Sequence, residues 1–311
     1  MTHRRNMLGI GAAAVGAAAL PLASRAQRAA AHDRSGTIRT KDGVELFVKD
    51  WGQGRPLILT HAWPLSSDCW EQPALAIAEA GYRVISYDRR GFGRSSQPST
   101  GYDYNTFADD LATVIQATGA RDATLAGFSM GGGEIVRYLS RHGSKGIAKV
   151  ALVAAVVPGL ARNRNNPQGV DPAFFDGLKD SLRKDRATFL AGLLREVFYD
   201  VQTSARSTNP VSQAVLDWSL QMAMQASLRA LIGSVDAFGK EDFVPDLAAV
   251  TVPTLILHGS ADKPVPFELT ARRAAAGIRQ ARLVEYGGTS HGLLVTERAR
   301  VTQDLLDWLA A

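Results

Sequence analysis

The stretch ATLAGFSMGGGEIVRYLSRHG, Ala123 to Gly143, decides the fold. Ala123 to Gly127 is a short apolar strand, and Gly132 to Arg141 carries a helical pattern. Between them, Gly127-Phe128-Ser129-Met130-Gly131 matches G-x-S-x-G, the pattern of a nucleophile-bearing turn from strand to helix. Glycines stand two before and two after the serine because a side chain at either place would collide with neighbouring backbone. Such a turn lifts the Ser129 hydroxyl clear of the sheet. The helix that follows aims its N-terminus at the same spot, where partial positive charge favours developing negative charge.

Working outward, short apolar runs alternate with longer amphipathic ones. Strands are expected at Val44–Val48, Pro56–Thr60, Arg83–Tyr87, Val150–Val157, Thr254–His258 and Arg282–Tyr286. Helices are expected at Trp70–Ala80, Asn105–Thr118 and Val301–Leu309. This alternation predicts an α/β fold with a mainly parallel central sheet flanked by helices. From about Pro158 to Pro245 helical patterns continue without a strand, after an Asn/Arg/Pro-rich loop at Arg162–Pro172. That stretch reads as a helical cap over the C-terminal edge of the sheet. Its stripe Trp218, Met222 and Met224 suits either packing within the cap or a pocket wall.

A serine hydroxyl needs a base to take its proton. His291, in Thr289-Ser290-His291-Gly292, follows the last expected strand. Asp262, in His258-Gly259-Ser260-Ala261-Asp262, follows the one before it. Asp262 would fix the tautomer of the imidazole and stabilise the imidazolium. Asp242 and Asp246 precede their strand, on the wrong side for this role. Backbone N–H groups of Met130 and Trp63 are the expected donors to an oxyanion; Pro64, next to Trp63, has no N–H to give. His61 and His258, at strand ends, are expected to be hydrogen-bonded scaffold residues, and His142 to lie at the surface. The loop Asp88-Arg89-Arg90-Gly91-Phe92-Gly93-Arg94-Ser95 is expected to be pinned by its own charges. It lacks the lysine pattern of a phosphate loop, and no G-x-G-x-x-G opens a first βα unit, so nucleotide cofactors have no support.

Of the 311 residues, 46% are hydrophobic and 21% charged, which suits a packed core and excludes disorder as the main state. The lone cysteine, Cys69, excludes an internal disulfide and a cysteine-built metal site. The six histidines are scattered without a short-range ligand pair, so no metal site is expected. Residues 1–26 read as a leader: Arg4 and Arg5, an Ala/Gly-rich apolar run from Met7 to Leu22, then Ser24-Arg25-Ala26 at a cleavage site. The paired arginines resemble a twin-arginine export signal, with residues 27–311 as the exported domain. The apolar run is shorter than the ~20 residues of a membrane-spanning helix. Net charge is +5, and the leader holds Arg4, Arg5 and Arg25 with no acid, which leaves +2 for the rest. No basic stripe interleaved with aromatics is present, so nucleic-acid binding is not expected.

At these residues the chain resembles the α/β-hydrolase superfamily and, within it, the cofactor-free (non-haem) haloperoxidase and aryl-esterase family. The resemblance runs from about Thr37 to Leu309. Its specific parts are HAWPLSSDCWE (His61–Glu71), SYDRRGFGRSSQP (Ser86–Pro98), GFSMGGGEIVRYLSRHG (Gly127–Gly143) and VPTLILHGSADKPVP (Val252–Pro266). It implies a triad of Ser129, Asp262 and His291, with the N–H groups of Trp63 and Met130 as oxyanion donors. It implies hydrolysis of small carboxylic esters through an acyl-enzyme, with neither haem nor metal. It further implies that hydrogen peroxide can replace water, giving a peracid from a short carboxylic acid. The pair Trp63-Pro64 resembles the version in members named haloperoxidases. Pro64 fixes the local backbone, which offers a way to turn the Trp63 carbonyl toward a bound peroxide. Pro64→Leu is then expected to lower the ratio of peracid to acid formed, measured by product partition. Ala62 stands where the family has glycine, which is expected to shift the oxyanion loop slightly. Ser290 stands where it commonly has proline, which is expected to loosen the histidine loop. Ser129 argues against dehalogenases and epoxide hydrolases, which carry aspartate at that turn. A carbon–carbon bond hydrolase with the same triad remains an alternative, and so does a ligand-binding receptor on the same fold.

Overall fold

The apolar runs pair into one sheet in the computed structural model, which describes residues 34–204 and 207–311. The leader expected over residues 1–26, with its cleavage site, lies outside the described residues. The strands are β1 (Gly36–Arg39), β2 (Glu45–Gly52), β3 (Pro56–Thr60), β4 (Arg83–Tyr87), β5 (Ala123–Phe128), β6 (Ile147–Val153), β7 (Thr254–Gly259) and β8 (Ala281–Tyr286). Their order is β1-β2-β4-β3-β5-β6-β7-β8. β2 runs antiparallel to both neighbours, and every other pairing is parallel. The central strands are buried on both faces, which is why PLILT, ATLAGF and TLILHG are apolar almost throughout instead of alternating.

Helices α1 (Glu71–Glu79), α2 (Tyr104–Thr118), α3 (Met130–His142), α7 (Ala271–Gly277) and α8 (Arg298–Ala310) accompany the sheet. The side chain of Asp103 caps α2 by accepting from the Thr106 N–H at 3.0 Å, and Gly119 ends it at φ 63°. Between β6 and β7 stand α4 (Pro172–Leu193), α5 (Gln213–Gln225) and α6 (Leu228–Lys240). Asp171, Ser212 and Ser227 cap their N-termini. α4 is broken at Asp185 (φ −160°, ψ 89°), whose carboxylate accepts from the Thr188 N–H and starts a second helical piece. A π-type turn at Leu194–Phe198 ends it.

Two differences from the expected elements have physical causes. β6 starts at Ile147 and stops at Val153 instead of running from Val150 to Val157. Ala154 turns to φ 45°, its N–H goes to the Leu257 carbonyl, and Val156 N–H bonds the Ser129 carbonyl, so the chain leaves the sheet beneath the serine. β1 was not anticipated: it has four residues, mostly exposed, and depends on pairing with β2. The stripe Trp218, Met222 and Met224 follows the packing reading: it packs against the core and does not line the Ser129 cavity. Trp218 and Met222 close with Leu65, Cys69, Tyr199 and Phe128, the residue before Ser129, around a small void.

Candidate active site

Ser129 stands between β5 and α3 at φ 56°, ψ −118°, a conformation that costs a non-glycine residue energy. The glycines around it are needed sterically. A Cβ on Gly127 would lie 2.6 Å from the Gly131 carbonyl carbon, and one on Gly131 would lie 2.5 Å from Thr60 Oγ1. The turn is held by the Ser129 N–H on the Val153 carbonyl at 2.8 Å and by the Thr60 hydroxyl on the Gly131 carbonyl at 2.9 Å. Met130 is the first residue of α3, so its N–H has no intrahelical acceptor. Trp63 lies on the loop after β3. Its indole Nε1–H donates to the Leu231 carbonyl at 3.2 Å, and its ring meets Phe238 at 5.2 Å, which anchors this loop to α6. Among the described residues, no backbone carbonyl pairs with the Trp63 N–H.

Asp262 follows β7 and His291 follows β8, at the same end of the parallel sheet. His291 Nδ1 is 2.7 Å from Asp262 Oδ2. The imidazole is stacked on Phe128 at 5.2 Å and meets the edge of Phe198 at 4.7 Å, so its plane is fixed from two sides. Ser129, Asp262 and His291 are all buried, and Ser129 and His291 line one cavity. Asp262 also accepts from the Val265 N–H at 2.8 Å. Burial alone would raise its carboxyl. The charge of His291 and hydrogen bonds from His258 and His291 outweigh that and hold it below its ordinary 3.8. A carboxyl depressed in the fold contributes stability that is present above the unfolded value and lost as pH falls through the folded one. Asp262→Asn is therefore expected to flatten the drop of Tm below about pH 4, followed by thermal melts across pH.

His258 is the neighbour that sequence reading left as plain scaffold. Its Nε2 is 2.8 Å from the Val265 carbonyl and 3.2 Å from Asp262 Oδ2. Both are acceptors, so Nε2 carries the proton, and Nδ1 is buried without a partner among the described residues. The signal was the four-residue spacing from a strand-end histidine to the acid. His61 is scaffold as expected: Nε2 accepts from the Arg89 N–H at 2.9 Å. Burial and the Arg89 charge push its pKa down to about 3, so it is neutral. Asp246 pairs with Arg137, and Asp242 accepts from Asn165, both away from His291. Asp88 accepts from Ser67 and Arg94, which pins the arginine-rich loop. Ser290 does not loosen the histidine loop. Its hydroxyl donates to the Tyr199 carbonyl at 2.7 Å and ties that loop to the cap.

The cavity measures about 710 Å³. Trp63, Phe175, Phe189, Phe198 and Phe238 give it an aromatic wall, and Glu196 and Lys263 stand at its exposed side. Among the described residues, no group of three or more His, Cys, Asp or Glu could hold a metal ion. The model of the alpha/beta hydrolase fold family matches residues 55–297. A non-heme chloroperoxidase from Kitasatospora aureofaciens is 40% identical over 272 residues, covering 87% of this chain and 98% of the relative. The chain belongs to the α/β-hydrolase haloperoxidase family. A bifunctional esterase/perhydrolase from Acinetobacter calcoaceticus is 38% identical to this family member, over 88% of this chain and 99% of the relative. The solved bromoperoxidase from Bacillus anthracis superposes on it with a TM-score of 0.84 at 37% identity, over 89% of this chain and all of that one. This haloperoxidase-family chain thus shares both sequence and architecture along nearly the whole of its described length.

Proposed function

We propose that this chain is a serine hydrolase that takes carboxylic esters through an acyl-enzyme on Ser129 and passes the acyl group to water or hydrogen peroxide. The observation that carries it is the Asp262–His291 hydrogen bond of 2.7 Å, with His291 lining the same cavity as a serine held in a strained turn. Nδ1 of His291 is occupied by Asp262, so Nε2 is the nitrogen left to take the Ser129 proton. Ser129 Oγ attacks the ester carbonyl, and the N–H groups of Trp63 and Met130 receive the negative charge that builds on its oxygen. Collapse breaks the ester bond, and His291 returns the proton to the departing alcohol. Water then gives the acid. Hydrogen peroxide gives the peracid, which oxidises a halide to hypohalous acid in solution and reverts to the carboxylic acid. The relative named as a bifunctional esterase/perhydrolase supports both branches.

The test uses purified protein with p-nitrophenyl acetate, with and without hydrogen peroxide, measuring phenol and peracetic acid for wild type and Ser129→Ala. Both products from wild type and neither from the variant support the proposal. Phenol without peracid reduces it to an ordinary esterase. Equal turnover by the variant overturns it and favours a binding protein on this fold.

A further inference from the structure

The cap helix that walls the cavity lacks a side chain at one place. Beyond the break at Asp185, the cavity is lined by Thr188, Phe189, Gly192, Leu193, Glu196 and Val197. These positions recur at three- and four-residue spacing and form two adjacent stripes on one helix face. Phe189, Leu193 and Val197 make the inner, half-buried stripe, whereas Thr188, Gly192 and Glu196 make the outer, exposed one. Gly192 alone of the six lines the cavity without a side chain.

Backbone geometry does not require glycine there. Its φ is not positive, and a Cβ built on it meets nothing within 4 Å. Glycine inside a helix is less stable than alanine, so the fold itself gains nothing from it. The gap does affect the cavity. Its inner surface is apolar and aromatic, and exposed Gly192, between Thr188 and Glu196, is the place in this helical wall where the lining carries no side chain.

We propose that Gly192 is a specificity-determining notch: it lets an ester with one extended apolar arm, of medium chain length or longer, run from Ser129 along Phe189 and Leu193 and out through the cap. This deepens the proposed function and rests on Ser129 as the nucleophile. The arm belongs to the acyl or to the alcohol half of the ester, and two substrate pairs separate these sources.

The experiment measures kcat/KM for p-nitrophenyl octanoate against p-nitrophenyl acetate, and for octyl acetate against ethyl acetate. Wild type, Gly192→Ala, Gly192→Leu and Gly192→Phe are compared, with Gly177→Leu as a control. Gly177 lies in the same helix with equally open space, but does not line the cavity. Gly192→Leu and Gly192→Phe are expected to lower one of the two long-to-short ratios by about tenfold or more. The pair that responds identifies the arm. Gly177→Leu should leave both ratios in place. Gly192→Ala should raise Tm by about 1–3 °C, showing that the glycine serves the cavity and not the fold. Ratios within twofold of wild type in folded Gly192→Leu overturn the notch. Loss of the nucleophile reading would show separately, as acetate turnover that survives Ser129→Ala.

Discussion

Ser129→Ala is expected to lower kcat for p-nitrophenyl acetate by about 10⁴-fold or more, the scale on which a serine–histidine–aspartate unit fails when its nucleophile is removed. The loss should be chemical and not structural. Ser129 holds φ 56° through its backbone, with its N–H on the Val153 carbonyl and its carbonyl accepting from Gly132 and Val156. Alanine keeps all three bonds and bears the same backbone strain, so Tm should stay within about 2 °C. Peracid and phenol should fall by the same factor, because one acyl-enzyme feeds both branches. A variant that loses phenol release but still forms peracid would place the peroxide reaction away from Ser129. Asp262→Asn should cost kcat on the same scale, since an amide lets His291 settle in the wrong tautomer while Ser129 stays in place.

The strand-and-helix skeleton was legible because buried parallel strands leave continuous apolar runs, as PLILT and TLILHG do. The serine turn was legible for a steric reason: only glycine clears Thr60 and Gly131 at positions 127 and 131. Asp262 and His291 could be placed because each follows a readable strand, and the structure brings them within 2.7 Å. What escaped the sequence depends on contacts between distant residues. The partnership of Ser290 with Tyr199 spans 91 positions and replaces an expected loosening with a tie. The early end of β6 depends on Ala154 turning to φ 45° and on the Ser129 carbonyl, 27 residues away, receiving the Val156 N–H. The cap was readable as helical, but which of its faces meets Ser129 was not. Hydrophobic spacing at Trp218, Met222 and Met224 looks the same whether the stripe packs inward or lines a cavity.

Glu134 directly follows the triple glycine Gly131–Gly133, and its environment sets up the second large effect. Glu134 Oε2 accepts from Arg89 Nε at 2.7 Å and Nη2 at 2.5 Å, Oε1 accepts from the Tyr87 hydroxyl, and both partners of the ion pair are buried. Burial lowers the Arg89 guanidinium to about 10 and raises the Glu134 carboxyl, and the two hydrogen bonds between them favour the charged pair. Glu134→Gln would leave that charge in the core without its counter-ion, which costs about 3–5 kcal/mol. For a chain of this size, Tm should fall by about 5–9 °C. Activity should follow by a definite route. Arg89 Nη2 also donates to the His61 carbonyl at 3.1 Å and its N–H to His61 Nε2 at 2.9 Å, and two residues on is Trp63, a proposed oxyanion donor. Loosening Arg89 should therefore lower kcat even well below the melting transition. Asp50→Asn is the comparison that separates the two effects. Asp50 likewise accepts from arginines, Arg83 and Arg34, but on β2, next to the edge strand β1. It should lower Tm and leave kcat near wild type. If Glu134→Gln behaves in the same way, the Arg89 network supports the core alone and does not position the oxyanion loop.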